Sequence, residues 1–183
     1  MQTSNQNIHP AFFFRRAPSA FASLKGDSAH PMLFGSVLFY EHPQGTLVAV
    51  ELRGLPTAST PCSSPVFALH IHEGGLCSGN ASDPFAQAGA HYNPQNCPHP
   101  YHAGDLPPIF SAGGQEFSAF LTDSFTVREV TGRTVILHAL PDDFSTQPAG
   151  GAGRKIACGE ILGRERVLAQ YKSQNQSAKA LLF

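Results

Sequence analysis

Residues 66–72 read Val-Phe-Ala-Leu-His-Ile-His, and this strict alternation specifies a strand. Phe67, Leu69 and Ile71 leave one face of it, while Ala68, His70 and His72 leave the other. The first face demands an apolar core. The second carries two imidazoles at i and i+2, a geometry suited to two ligands of one metal ion. A chain built around this segment is a sheet protein whose chemistry sits on one side of the sheet.

The neighbouring segments agree. Val48, Val50 and Leu52 alternate with Ala49, Glu51 and Arg53. Gly35–Tyr40 precedes them across Pro43-Gln44-Gly45, a turn of hairpin length. Phe117, Ala119 and Leu121 read as another half-buried face. Arg133–His138 is a β-branched run ending in histidine, and Ile156–Ile161 reads as a last strand, weakened by Gly159. Seventeen glycines and fifteen prolines favour turns over long helices. The expected class is all-β, a sandwich or flattened barrel of about eight short strands. Two long irregular stretches, 73–108 and 139–155, each begin just after a strand histidine, which marks them as functional loops. Residues 1–19 read as an irregular leader with an aromatic knot at Phe12–Phe14, 20–163 as the domain, and 164–183 as a tail with a short helix at Val167–Tyr171.

Twelve basic residues against thirteen acidic ones leave a net charge of −1, which argues against nucleic-acid binding through a broad basic surface. No apolar run reaches the ~18 residues of a membrane-spanning helix. The four cysteines (Cys62, Cys77, Cys97, Cys158) form no C-x-x-C pair. Their even number suits one or two disulfides and hence an oxidising compartment. The start of the chain points instead to the cytoplasm: Ala11–Phe14 is too short for a secretory apolar region, and Arg15-Arg16 follows it.

Six of the nine histidines lie between His70 and His138, namely these two with His72, His91, His99 and His102. His99-x-x-His102-x-x-Asp105 places two imidazoles and a carboxylate in the first long loop, where they can wrap a small divalent ion. Imidazole-rich sites suit zinc and copper alike. Six histidines and an aspartate are too many for one four-coordinate ion, and the right number for two ions that share an imidazole. Such sharing needs both ring nitrogens deprotonated, which two cations enforce.

These residues resemble the Cu/Zn superoxide dismutases, from about Gly35 to Ile161. His70-Ile71-His72-Glu73 resembles the family's H-x-H-E copper strand, and Gly89-Ala90-His91-Tyr92-Asn93-Pro94 its G-x-H-[FY]-N-P segment with the bridging histidine. His102-Ala103-Gly104-Asp105-Leu106, with His99, resembles the zinc segment. Gly132-Arg133-Thr134-Val135-Ile136-Leu137-His138 is similar to the strand ending in the last copper ligand, and Ile156-Ala157-Cys158-Gly159 to the closing segment. The resemblance implies a Greek-key β-barrel with copper on His70, His72, His91 and His138, and zinc on His91, His99, His102 and Asp105. It further implies a Cys77–Cys158 disulfide, and an Asp142 that hydrogen-bonds ligands of both metals.

The implied activity is disproportionation of superoxide to oxygen and hydrogen peroxide. Copper carries the redox step, His91 moves a proton and zinc fixes the ring. A homodimer is common in the family. The main departure lies at the anion-guiding arginine, three residues before the closing cysteine. Lys155 stands there, with Arg154 one residue earlier, so either Lys155 takes the role or a backbone shift brings in Arg154. The expected enzyme is slower or less salt-sensitive than fast members of the family. Cys62 and Cys97 offer a second disulfide. Two other classes are a copper-buffering protein of the same fold and a zinc hydrolase using Glu73 as general base. The hydrolase fits poorly, because such a site keeps an open position on three ligands.

Overall fold

The computed structural model describes residues 17–57, 60 and 65–166. Among them nine strands form: β1 Ala20–Gly26, β2 Phe34–His42, β3 Gly45–Arg53, β4 Val66–Phe67, β5 Leu69–His72, β6 Ile109–Phe110, β7 Gln115–Thr122, β8 Thr134–His138 and β9 Lys155–Gly163. One short helix, α1 Val127–Val130, precedes β8. Seven strands make one antiparallel sheet in the order β5-β8-β9-β1-β2-β3-β7, while β4 and β6 pair separately. The sheet curls into a half-barrel. One core therefore joins Val37, Phe39 and Val50 from its middle to Leu69, Ile71 and Leu137 near one edge. The all-β expectation holds, with β1 as the strand hardest to read beforehand. Its buried face is only Ala20, Ala22 and Leu24.

Two sequence readings change. The alternation over β7 is real, but its phase is opposite to that expected: Phe117 is 69% exposed, and Phe120 packs on the core. The β3 ladder decides this, because Phe120 pairs with Val48 and Ser118 with Val50, both fully buried. Gly159 does not weaken β9. A Cβ there would lie 2.9 Å from Leu24 Cδ1 and from the Ser23 carbonyl oxygen, so its absence lets β9 close on β1.

The first strand starts at Ala20 and the last ends at Gly163. The Phe12–Phe14 knot, the Val167–Tyr171 helix and Cys62 lie outside the described residues. No helix among the described residues is long and apolar enough to cross a membrane.

At the edge of the sheet, β5 has β8 on one side only. The first long loop covers the other side. The Ile71 N–H donates to the Gly104 carbonyl (2.8 Å), and the Ile71 carbonyl accepts from Tyr92 N–H (2.8 Å). An unpaired strand edge is thereby satisfied, and the same contacts lay the loop over His70 and His72.

Candidate metal centre

Two groups of ligating side chains converge under this loop. His70, His72, His91 and His138 each offer a ring nitrogen, all within 4.8 Å of one another, and His91, His99, His102 and Asp105 form a second group of the same tightness. His91 belongs to both. The strand periodicity puts His70 and His72 on one face of β5. His138 joins them from β8, where a register shift between Leu137 and His138 turns the end of the strand. The loop brings the other four against β5, with bridges pairing His72 to His91 and His70 to Asp105. All six rings are buried, the most exposed being His102 at 9%.

The partners of these rings fix which nitrogen faces inward. His70 Nε2 lies 2.9 Å from Asp142 Oδ2, and His99 Nε2 lies 2.8 Å from Asp142 Oδ1. A carboxylate only accepts, so both Nε2 atoms carry the proton and both Nδ1 atoms are left bare. His72 Nδ1 donates to the Gly89 carbonyl (2.8 Å) and His138 Nδ1 to the Gly153 carbonyl (3.2 Å), which leaves their Nε2 atoms facing each other at 3.2 Å. On the other side of His91, its Nδ1 stands 2.8 Å from Asp105 Oδ1 and 3.3 Å from His102 Nδ1. Asp142 therefore joins the two groups from behind, and His91 joins them from within.

Burial and crowding favour uncharged imidazoles. Desolvation, reinforced by the neighbouring histidines, pushes His70 and His72 down to about 2; burial likewise takes His138 to about 4 and lowers His102. Burial alone would raise Asp105, but the hydrogen bond from His91 and the surrounding imidazoles hold its carboxyl below the ordinary range. Neutral imidazoles and an ionised carboxylate are the forms that bind metal.

The orphaned atoms test the fit to metal directly. His70 Nδ1, His91 Nε2 and His99 Nδ1 are buried without a hydrogen-bond partner. His99 Nδ1 is 3.0 Å from Asp105 Oδ2 but lacks hydrogen-bond alignment. An unmet buried polar atom costs about 1–3 kcal/mol, and three aimed into two ligand groups are a signature of cations. Four imidazole nitrogens suit copper; three with a carboxylate suit zinc.

A cavity of about 920 Å³ opens onto His72, His91, His102 and His138 and is bordered by both Arg154 and Lys155. The Arg154 guanidinium pairs with Asp27. Lys155 stands opposite His138 in the β8–β9 ladder, and its Nζ donates to Asp83 Oδ2 (2.8 Å) and the Phe85 carbonyl (3.1 Å). Sequence reasoning missed Asp27, Asp83 and the carbonyls of Gly89 and Gly153. No local motif marks them, since each acts on a residue distant in sequence or through backbone alone. Arg133 is also more than a motif residue. It donates to the Glu73 carbonyl (2.9 Å) and stacks 3.9 Å from the Tyr92 ring centre, tying β8 to the loop. Cys77 and Cys158 are disulfide-bonded, and Cys97 carries a free thiol.

Gly104 holds the loop close to β5. A Cβ there would overlap the Ile71 carbonyl oxygen and lie 3.1 Å from Tyr92 Cβ. Gly104→Ala is expected to destabilise the fold by about 1–3 kcal/mol, as overpacking does, and to weaken zinc retention. Thermal melts and metal content measure both effects; a wild-type melt with full zinc would refute the close approach.

Known proteins are similar to this chain in sequence and in fold. The sequence model of the copper/zinc superoxide dismutase (SODC) family matches residues 33–161. A copper–zinc superoxide dismutase of Caulobacter vibrioides is 34% identical over 144 residues, covering 69% of this chain and 77% of that protein. A second such enzyme, from Aquifex aeolicus, is 31% identical over 144 residues, covering 70% and 79% respectively. In fold, the chain is similar to the Cu/Zn superoxide dismutase from Brucella abortus, with a TM-score of 0.64 at 24% identity over 78% of this chain and 99% of that one. The match spans the strands and both loops that bring the imidazoles together, and it makes this chain a member of the copper/zinc superoxide dismutase family.

Proposed function

We propose that His70, His72, His91 and His138 hold copper, that His91, His99, His102 and Asp105 hold zinc, and that the chain disproportionates superoxide there. The observation that carries this reading is the placement of His91. Its Nδ1 lies among the zinc-type donors, and its buried Nε2 has no protein partner. Copper, when bound, supplies the one-electron oxidation and reduction that disproportionation requires, and zinc supplies none.

The chain does the rest. The cavity admits a small anion to the edge of the His72 and His138 rings. Lys155, beside His138, docks the anion as a compact positive charge. One superoxide leaves as oxygen; a second, with two protons, leaves as hydrogen peroxide. His91 Nε2 is placed to hold one of those protons and hand it over, because its Nδ1 remains fixed on the other side. The Cys77–Cys158 disulfide supports an oxidising compartment for this chain.

Metal analysis of the purified protein is expected to give equimolar copper and zinc, with rapid dismutation per copper. Placing cobalt in the zinc group should couple the two ions through His91 and quench the copper electron paramagnetic signal. An unperturbed copper signal would defeat the shared ring, and equimolar metals without dismutation would favour a copper buffer.

A further inference from the structure

Both cations at the cavity are already paired with a carboxylate that borders the same space. Asp27 takes Arg154, and its Oδ1 also lies 2.7 Å from His30 Nδ1 and accepts the Ala29 N–H at 3.0 Å. Asp83 takes Lys155. With Glu73, the cavity wall carries three carboxylates against two cations. An anion approaching the histidines meets no uncompensated positive charge among these residues.

The Asp83–Lys155 pair is the one beside the chemistry, since Lys155 faces His138 across the ladder. The Lys155 side chain is only 15% exposed, while that of Asp83 is 39% exposed. Asp83 is also held in place rather than swinging in solvent. Its own N–H donates to Asn80 Oδ1 (3.0 Å), and its Oδ1 accepts from Phe85 N–H (3.0 Å), so that Oδ2 is directed at the ammonium. The carbonyl of Phe85 completes the grip from behind.

We propose that Asp83 is a positioning residue that fixes the Lys155 ammonium against the cavity wall and offsets its charge, so that incoming superoxide competes with a resident carboxylate for the same cation. This rests on the reading of Lys155 as the docking cation. The pairing damps electrostatic capture, and the wild-type rate is therefore nearly flat with added salt.

The test uses the metal-loaded enzyme. Asp83→Asn keeps an oxygen for the Phe85 N–H while removing the charge. It is expected to raise kcat/KM at low ionic strength by about three- to tenfold, to make the rate fall steeply with salt, and to tighten azide binding by a similar factor. Amine-directed labelling of Lys155, followed by mass spectrometry on metal-free protein, should accelerate in the same variant. Lys155→Gln should lower kcat/KM and, added to Asp83→Asn, should abolish its gain. If Lys155→Gln is impaired but Asp83→Asn shows neither the gain nor the salt slope, the role of Asp83 is refuted and Lys155 docking survives. If Lys155→Gln alone leaves kcat/KM unchanged, the docking assignment itself falls. A wild-type rate that drops steeply with salt overturns the damping without any variant.

Discussion

Asp142→Ala is expected to weaken retention of both metals by about 10–100-fold each, the usual effect of removing a residue that orients ligands. The reason is geometric. One buried carboxylate holds Nε2 of His70 and Nε2 of His99, and thereby commits Nδ1 of each to a different ligand group. Without it, either ring can take the other tautomer, and two imidazole N–H groups are left buried without an acceptor, at about 1–3 kcal/mol each. The Phe144 N–H also loses its acceptor, at 2.7 Å, so the second loop loosens with the ligands. Asp142→Asn separates these effects. Its single amide oxygen satisfies one imidazole and presents an N–H₂ group to the other, so one site should be rescued and its partner should not. Competition with a chelator, read out as copper and zinc per chain, measures both affinities. Wild-type retention of both metals in Asp142→Ala would show that the two rings are oriented without the carboxylate.

The sequence displays such a centre wherever the chemistry is local. His70 and His72 could be assigned to one face because strand geometry admits no other reading of their spacing, and the burial of Leu69 and Ile71 in the core agrees. His99, His102 and Asp105 lie close in sequence, and the structure gathers them with His91. What could not be read is set by distant partners. The phase of β7 depends on Val48 and Val50 across the ladder, since Phe117 and Phe120 are equally apolar. The buried face of β1 is two alanines and Leu24, a weak signal beside Phe21 on the other side. The resemblance to the family implies a place for Lys155 near the copper-type group, but its partner Asp83 lies 72 residues away and no motif carries it. Charge compensation of this kind is written in the fold and not in any motif.

Removing the disulfide is the second large effect. Cys77 and Cys158 are separated by 81 residues, and closing a loop of that length restricts the unfolded chain by about 4–5 kcal/mol in the chain-entropy description. A domain of this size has only about 5–15 kcal/mol in total, so paired Cys77→Ser and Cys158→Ser changes should remove a large share. Denaturant unfolding of the metal-free protein is the right measurement, because bound metal adds its own stabilisation and would mask the difference. The loss should not remain global. Cys158 packs with Phe85, Ala88 and Ile136, so the bridge anchors the segment that carries both the Asp83 turn and the Gly89 carbonyl. Loosening that segment frees the ring of His72 and the ammonium of Lys155 together. The variant should therefore release copper more readily than zinc, whose loop is pinned separately through Tyr92, Gly104 and Ile71. A stability change below about 1 kcal/mol, with copper held as in wild type, would mean that the packing around Phe85 secures the segment without the covalent link.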